Sequence, residues 1–185
     1  MKIAYRPEID GLRGIAVIAV IFYHAQITIF GQNLFKGGFI GVDIFFVISG
    51  YLIASLILKE LKSTGKFSFA YFYERRARRL LPALFVVMLA SLPFAWIYLL
   101  PIPFKDFANS ILSSIAFGSN FYFYYSGTLY GAESGLLKPF LHTWSLSVEE
   151  QFYLFFPIFL IICFRFFKKY ITHIIVAGFF ISLGI

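Results

Sequence analysis

The chain has 185 residues, of which 60% are hydrophobic, 22% aromatic and only 14% charged. Soluble domains are about 45–50% apolar and about 25% charged, so this composition excludes an ordinary soluble domain and indicates a membrane protein. The net charge of +7 comes from basic residues between apolar runs, with no nucleic-acid recognition motif beside them, which favours a topological cause over nucleic-acid binding.

Four apolar runs are long enough to cross about 30 Å of hydrocarbon. They lie at 13–31, 38–58, 80–100 and 144–164, and a fifth run, at 171–185, is incomplete where the sequence stops. We therefore predict an all-α polytopic transmembrane bundle with about five spans, and we expect the chain to be part of a longer membrane protein.

The basic residues predict the orientation of these spans. Of the sixteen Lys and Arg residues, three precede the first span, seven separate the second from the third, and three follow the fourth. The remaining three fall on the other side of the membrane. The positive-inside rule therefore predicts a cytoplasmic N-terminus.

The stretch at 107–125, FANSILSSIAFGSNFYFYY, is apolar but does not fit this scheme. Counting it as a span would reverse the orientation of the basic residues that follow the fourth span. Its Asn, Ser and Gly content, and Pro101 and Pro103 before it, favour a re-entrant or interfacial segment packed against protein.

Ionisable residues lie inside the first two predicted spans, where their burial is costly. Arg13 and His24 are eleven residues apart, which places them on nearly the same helix face, about 16 Å apart along the axis. His24 would lie about 10 Å and Asp43 about 8 Å below the outer end of its span. A shared level makes an Asp–His hydrogen bond plausible, and such a bond would orient the imidazole.

The fourth predicted span begins HTWSLSVEEQFYL and brings further polar groups to the same depth. Ser145 and Glu149 follow His142 at i+3 and i+7, on one helix face, and Glu149 would lie about 10 Å deep. Glu150 points about 100° away, so only one of the two acids is expected to face the histidine. Two more polar side chains lie at this end: Trp144 and Gln151.

The segment ERRARRLLP before the third predicted span concentrates positive charge. Topology alone explains part of it. The density is a further feature, because Arg76 and Arg79 are i, i+3 neighbours with Arg75 beside them, a spacing that lets guanidinium groups converge on one polyanion.

Four long blocks of the sequence are similar to one known family. YRPEIDGLRGIAVIAVIFYHA contains an Arg, ten residues, His motif at Arg13 and His24, and YERRARRLLPAL contains an Arg-x-x-Arg element at Arg76 and Arg79. The other two blocks are GGFIGVDIFFVISGYLI and HTWSLSVEEQFYLFFP. Together they resemble the membrane-bound acyltransferase 3 family, whose members O-acylate cell-surface carbohydrates.

The resemblance implies a multi-pass protein of the bacterial inner membrane with about ten spans, of which this chain would be the first half. It implies acyl-CoA, most simply acetyl-CoA, as co-substrate, with no permanently bound cofactor and no metal. The partners it implies are membrane lipid and a carbohydrate or glycolipid acceptor, such as lipopolysaccharide O-antigen or peptidoglycan. Related members often carry a C-terminal extracytoplasmic domain.

The resemblance and the residue pattern together suggest roles for these side chains. His24, oriented by Asp43, would act as general base on the acceptor hydroxyl or carry the acyl group covalently, and these two alternatives stay open. Glu149 or Glu150 would position the acceptor or move its proton. The expected donor-binding residues are Arg13, Arg75, Arg76 and Arg79, and those on the acceptor side are His142, Trp144, Ser145 and Gln151.

A protein of another class could use the same ionisable groups. Intramembrane His, Asp and Glu also build proton relays in transporters, so a proton-coupled transporter or flippase is the alternative function. A transporter has less need for the arginine cluster, unless its substrate is anionic.

Overall fold

A computed structural model describes residues 6–25, 28–29, 32–33, 36–128 and 138–183. Seven α-helices account for most of these residues, which confirms the all-α class. A minimal antiparallel pair, β1 (Thr28–Ile29) and β2 (Gln32–Asn33), follows the first helix, with Thr28 opposite Asn33. The helices are α1 (Pro7–His24), α2 (Ile40–Thr64), α3 (Phe69–Tyr98), α4 (Pro101–Ile115), α5 (Ser119–Thr128), α6 (Thr143–Phe166) and α7 (Ile171–Leu183), and a 3₁₀ turn covers Lys168–Tyr170.

Three helices of the described chain are long and apolar enough to cross a membrane: α2, α3 and α6. They have 25, 30 and 24 residues, or about 36–45 Å at 1.5 Å per residue. The first helix has 18 residues and carries Glu8, Asp10 and Arg13 near its start, and α7 has 13 described residues. The total of about five spans and the cytoplasmic N-terminus therefore stay predictions.

The first and third helices differ most from the predicted spans. The first helix begins at Pro7, which is preorganised for a first helical turn, and it ends at His24, seven residues before position 31. The third begins at Phe69, eleven residues before position 80, after a Ser68 cap whose Oγ accepts from Tyr71 N. Arginine is a good helix former, so the basic segment that hydropathy separates from the span is its helical continuation.

The stretch at 107–125 is not one helix. It divides between α4, with 15 residues, and α5, with 10 residues, which are about 22 Å and 15 Å long. Neither reaches the roughly 30 Å of a bilayer core. This agrees with the expectation that the stretch is no ordinary span, and its re-entrant or interfacial placement stays a prediction.

The chain divides into two compact units, one of residues 1–65 with 152–185 and one of residues 66–151. In the first unit, α1 and α2 are in close contact. A Cβ on Gly38 would lie 2.3 Å from the carbonyl oxygen of Ala19, and one on Gly41 would lie 2.5 Å from that of Ala16. Only glycine permits this backbone approach, which is typical of small-residue contacts between membrane helices. The two helices are therefore neighbours, as their short connection predicts.

The second unit has an aromatic and aliphatic core. It combines one face of α3 with single phenylalanines from α4, α5 and the turn before α6, and the rings of Phe107 and Phe140 lie 5.6 Å apart. This core holds α3, α4, α5 and the start of α6 together. Its buried members are Leu84, Met88, Ala95, Phe107, Phe123 and Phe140.

Candidate functional site

An arginine and a glutamate from distant parts of the sequence form an ion pair in the second unit. Nη1 of Arg76, on α3, lies 3.8 Å from Oε1 of Glu150, on α6. The side chains are only 28% and 15% exposed. The distance is too long for a direct hydrogen bond, so this is an electrostatic pairing of two largely sheltered charges.

Aromatic packing holds the arginine in place. The guanidinium carbon of Arg76 lies 5.4 Å from the centroid of the Phe72 ring, one turn earlier on α3, and Phe72 is itself buried. A cation over an aromatic face gains about 0.5–1 kcal/mol at exposed sites and more when water is excluded. Arg76 is therefore a preorganised positive charge whose approach to an anion costs little side-chain entropy.

The other arginines of this helix have different surroundings. The guanidinium of Arg75 lies 4.2 Å from the Tyr71 ring. Arg78 is exposed and pairs with Glu74 one turn earlier, at 2.7 Å. Arg79 is exposed, one turn from Arg76 on the same helix. The predicted i, i+3 geometry of Arg76 and Arg79 is thus present, whereas Arg78 is already neutralised on another face.

The ion pair also shows that one acid of the fourth span, Glu150, contacts α3. Glu150 contacts Arg76, and Glu149 is partly buried beside it. The sequence placed Glu149 on the same face as His142, two turns later, and left open which of the two acids faces the site. The pairing shows that Glu150 has the partner of opposite charge on α3.

This contact changes the depth assigned to the acid. The sequence placed Arg76 at the inner, donor side and Glu150 near the outer, acceptor side, yet the two lie 3.8 Å apart. From Arg76, α3 continues about 33 Å to Tyr98, whereas α6 begins at Thr143, only about 10 Å from Glu150. Counting depth from the ends of the predicted spans put Arg76 and Glu150 at opposite sides of the membrane, and the contact between them shows that they lie at one level.

The first unit contains His24 and Asp43, which do not share a level. Gly38 lies against the carbonyl of Ala19, and Gly41, three residues later, lies against the carbonyl of Ala16, three residues earlier. The two segments therefore run antiparallel. Extending this antiparallel register puts Asp43 near the level of Gly14, ten residues or about 15 Å along the helix axis from His24. Within the described part of the chain, no hydrogen bond or ion pair joins the two side chains, so the expected Asp–His contact is not formed.

Arg13 and His24 lie on α1 as the spacing predicts, because the helix is continuous between them. His24 is its last residue and is exposed, with its ring edge-on to Tyr23 at 5.3 Å. Arg13 lies 3.7 Å from the carboxylate of Asp10. The two residues keep their predicted separation of about 16 Å, and their catalytic and donor-binding roles stay predictions.

The expected acceptor-side residues have different surroundings. His142 is exposed before α6, Trp144 is 40% exposed, and the hydroxyl of Ser145 donates to the carbonyl of His142 at 3.1 Å. Gln151 instead bonds to the α4–α5 connection: its Nε2 donates to the carbonyl of Phe117 at 2.8 Å. Gln151 thus makes a structural contact with this connection, and its acceptor-side role stays a prediction.

A hydrogen-bonded ladder that the sequence analysis missed joins α6 to α4 and α5. Thr143, Ser147 and Gln151 occupy one face of α6 at four-residue intervals. Their partners, in the same order, are Ser114 at 2.8 Å, Ser119 at 2.7 Å and Asn120 at 3.0 Å. The four-residue spacing of these polar residues was the available signal. We call these six residues the polar ladder.

These features describe a helical membrane protein with sheltered charges and a polar ladder beside its arginine-rich helix. A family model described as an acyltransferase domain matches residues 6–185. The chain therefore belongs to the acyltransferase 3 family, which confirms the resemblance seen in its sequence blocks.

Curated relatives are similar over most of this chain. The peptidoglycan O-acetyltransferase OatA of Listeria monocytogenes is 39% identical over 165 residues, covering 89% of this chain. A Staphylococcus aureus protein provisionally named an O-acetyltransferase is 41% identical over 160 residues, or 86% of the chain. One of Bacillus subtilis, provisionally named a peptidoglycan O-acetyltransferase, is 38% identical over 162 residues, or 85%.

The chain spans about a quarter of the length of these relatives, 26%, 25% and 24% respectively. No solved structure matches the chain.

Proposed function

We propose that the protein is a membrane O-acyltransferase that moves an acyl group, most simply acetyl, from cytoplasmic acyl-CoA to a hydroxyl of a carbohydrate. Family membership supports the reaction class. The names of the relatives support acetyl as the group and peptidoglycan as the acceptor, with lipopolysaccharide O-antigen as another acceptor of the same chemistry. The thioester C–S bond breaks, an ester C–O bond forms, and the hydroxyl proton leaves with the thiol.

The observation that carries the donor assignment is the held guanidinium of Arg76. Coenzyme A is a polyanion, and arginine suits phosphate because its planar fork donates two parallel hydrogen bonds. Arg76 is fixed over Phe72, and Arg79 follows one turn later on the same helix. We assign these two arginines to the donor phosphates, with Arg75 and Arg13 as further donor-binding residues.

Glu150 acts in this proposal as the resident counterion of Arg76. A sheltered guanidinium without a partner would be costly, and the carboxylate at 3.8 Å supplies that partner before the donor binds. An incoming phosphate competes with the carboxylate for the same guanidinium. Glu150 thus lowers the affinity for the donor while it keeps the arginine folded in place.

His24 is the residue to which we assign the acyl-transfer step, as general base on the acceptor hydroxyl or as the transient acyl carrier. It is exposed at the end of α1, where its imidazole is accessible to a substrate. Imidazole is suited to either role at neutral pH. Since Asp43 lies about three turns away in the register, it is not proposed as the orienting partner of the histidine.

The experiment is donor-dependent thermal stabilisation of the full-length protein in detergent. Saturating acetyl-CoA should raise the Tm of the wild type, since a ligand at about 100 times its Kd stabilises by about 2.7 kcal/mol. Arg76→Ala with Arg79→Ala should lose this shift. Arg78→Ala is the matched control, because its side chain is exposed and paired with Glu74, and it should keep the shift.

Two outcomes would contradict the proposal. If acetyl-CoA does not stabilise the wild type, the donor assignment is wrong, and proton-coupled uptake in vesicles would favour the transporter. If the Arg76/Arg79 variant is stabilised as much as the wild type, those arginines do not bind the donor.

A further inference from the structure

The turn between α4 and α5 contains a strained residue. Phe117 has a φ of 51°, which makes it the one non-glycine residue with positive φ among those described. It ends α4 in a Schellman arrangement, in which Gly118 N donates to Ser113 O at 2.8 Å and Phe117 N donates to Ser114 O at 3.2 Å. A left-handed conformation is unfavourable for a residue with a Cβ, and the glycine that would avoid this cost stands one position later.

One side chain of α6 forms hydrogen bonds to this turn. Nε2 of Gln151 donates to the carbonyl of Phe117 at 2.8 Å and to Oδ1 of Asn120 at 3.0 Å, and Nδ2 of Asn120 donates to Oε1 of Gln151 at 3.3 Å. The two amides are partly buried. Residues held in strained conformations persist only where their surroundings fix them, and they are frequent at functional sites.

The same residue is adjacent to the acid of the ion pair. Consecutive helical residues point about 100° apart, so α6 presents Gln151 to the α4–α5 turn and Glu150 to α3. Fixing the direction of the glutamine therefore fixes the rotation of this part of α6. That rotation decides whether the carboxylate of Glu150 faces Arg76.

We propose that Gln151, together with Asn120, is a positioning residue that locks the strained turn at Phe117 and thereby holds Glu150 opposite Arg76. Its task is to set the geometry of a charged site on the neighbouring helix. This differs from the acceptor-side role that its sequence position suggests. The proposal concerns the ion pair itself and does not depend on the identity of the substrate.

A double-mutant cycle measures the relevant quantity, the coupling between Arg76 and Glu150. Thermal stability is measured for four full-length proteins: the wild type, Arg76→Gln, Glu150→Gln and the double variant. The coupling is the difference between the effect of the double variant and the sum of the two single effects. The cycle is then repeated in a Gln151→Leu background. We expect the coupling to fall by at least about twofold there, because α6 is no longer held in rotation.

A matched background separates positioning from general loosening. Ser147→Ala removes the 2.7 Å bond to Ser119 one turn earlier on the same face, so it should lower the Tm while leaving the coupling unchanged. The double variant Asn120→Gln with Gln151→Asn exchanges the two amides. The two side chains then have the same combined length as in the wild type and can still pair. This exchange should restore the coupling that Gln151→Asn alone reduces.

Relief of the strain gives an independent readout. Phe117→Gly removes the cost of the left-handed conformation, so Gln151→Leu should lower the Tm less in a Phe117→Gly background than in the wild type. If Gln151→Leu does not fold, the shorter amide of Gln151→Asn provides the same comparisons.

Three results would overturn the proposal: no coupling between Arg76 and Glu150 in the wild type, the same coupling in the Gln151 variants, or an equal loss of coupling in Ser147→Ala. The last result would show that weakening the polar ladder at any position reduces the coupling, so Gln151 would have no specific role. Failure of acetyl-CoA to bind would contradict the proposed function and leave this inference unaffected.

Discussion

Arg76 and Glu150 lie 3.8 Å apart and bring α3 and α6 to one level in the second unit. Their side chains are sheltered, and the aromatic ring of Phe72 supports the guanidinium. A donor site and an acceptor site at opposite surfaces would separate these residues. The pairing instead makes the acid part of the arginine's own environment, and under the proposed function it would link donor affinity to the charge of Glu150.

His24 and Asp43 should respond differently to substitution. We expect His24→Ala to lower the rate of acetyl transfer by about 10²–10⁴, the usual contribution of a general base. Asp43→Asn should keep the rate within about tenfold, because the register places Asp43 about 15 Å along the helix axis from the level of His24. The measurement is acetyl transfer to the acceptor by full-length protein at equal membrane expression. A loss with Asp43→Asn as deep as with His24→Ala would show that the carboxylate does orient the histidine.

The contact between α1 and α2 should tolerate no side chain at two glycines. Gly38→Leu or Gly41→Leu should destabilise the protein by about 1–3 kcal/mol, the range for overpacked sites, because even a Cβ would approach an α1 carbonyl oxygen within 2.5 Å. The measurement is the detergent-solubilised Tm.

Gly50→Ala on the same helix is the control for this prediction. A Cβ there meets nothing within 4 Å, and alanine is the better helix former by about 1 kcal/mol. Its Tm should be equal to or above that of the wild type. If the Leu variants at positions 38 and 41 were as stable as this control, the close approach of the two helices would be contradicted.

The polar ladder should behave as a coupled network. Ser119 is fully buried and its hydroxyl contacts Ser147 and Thr143, so Ser119→Ala leaves buried hydroxyls with fewer partners, at a cost of about 1–3 kcal/mol. Adding Ser147→Ala should cost less than it does in the wild type. Unfolding measurements on the two single variants and the double variant test this, and strict additivity would contradict a network.

Ser91→Ala provides a reference for the ladder variants. Among the residues that the structure describes, its hydroxyl donates only to the carbonyl of Met88 in its own helix, at 2.8 Å. Its loss should change the Tm by less than that of Ser119, since no second helix is involved.

The long helices could be predicted from sequence because their signal is local. Apolar runs alone place α2, α3 and α6, and the Asn, Ser and Gly content of 107–125 already argues against an ordinary span there. Hydropathy did not predict that α3 begins at Phe69, because the arginines continue the helix without being apolar. Helical propensity and the cap at Ser68 determine that end.

The arrangement of the site could not be predicted because it depends on register between helices. Depths counted from predicted span ends put Asp43 level with His24 and put Glu150 far from Arg76. In the folded chain, the glycine contacts determine the register of α1 against α2. The polar ladder determines the register of α6 against α4 and α5. The ladder carries a sequence pattern, polar residues at four-residue spacing at Thr143, Ser147 and Gln151, but its partners on α4 and α5 become apparent only in the folded chain.

The most direct test of the central claim is the affinity of the full-length protein for coenzyme A, measured by equilibrium binding in three forms. Arg76→Ala should bind at least about tenfold more weakly than the wild type, a loss of about 1.4 kcal/mol. Glu150→Gln should bind more tightly than the wild type, because the phosphate no longer competes with a carboxylate. Equal affinity of all three forms, or weaker binding by Glu150→Gln, would contradict the assignment of Arg76 to the donor and of Glu150 as its counterion.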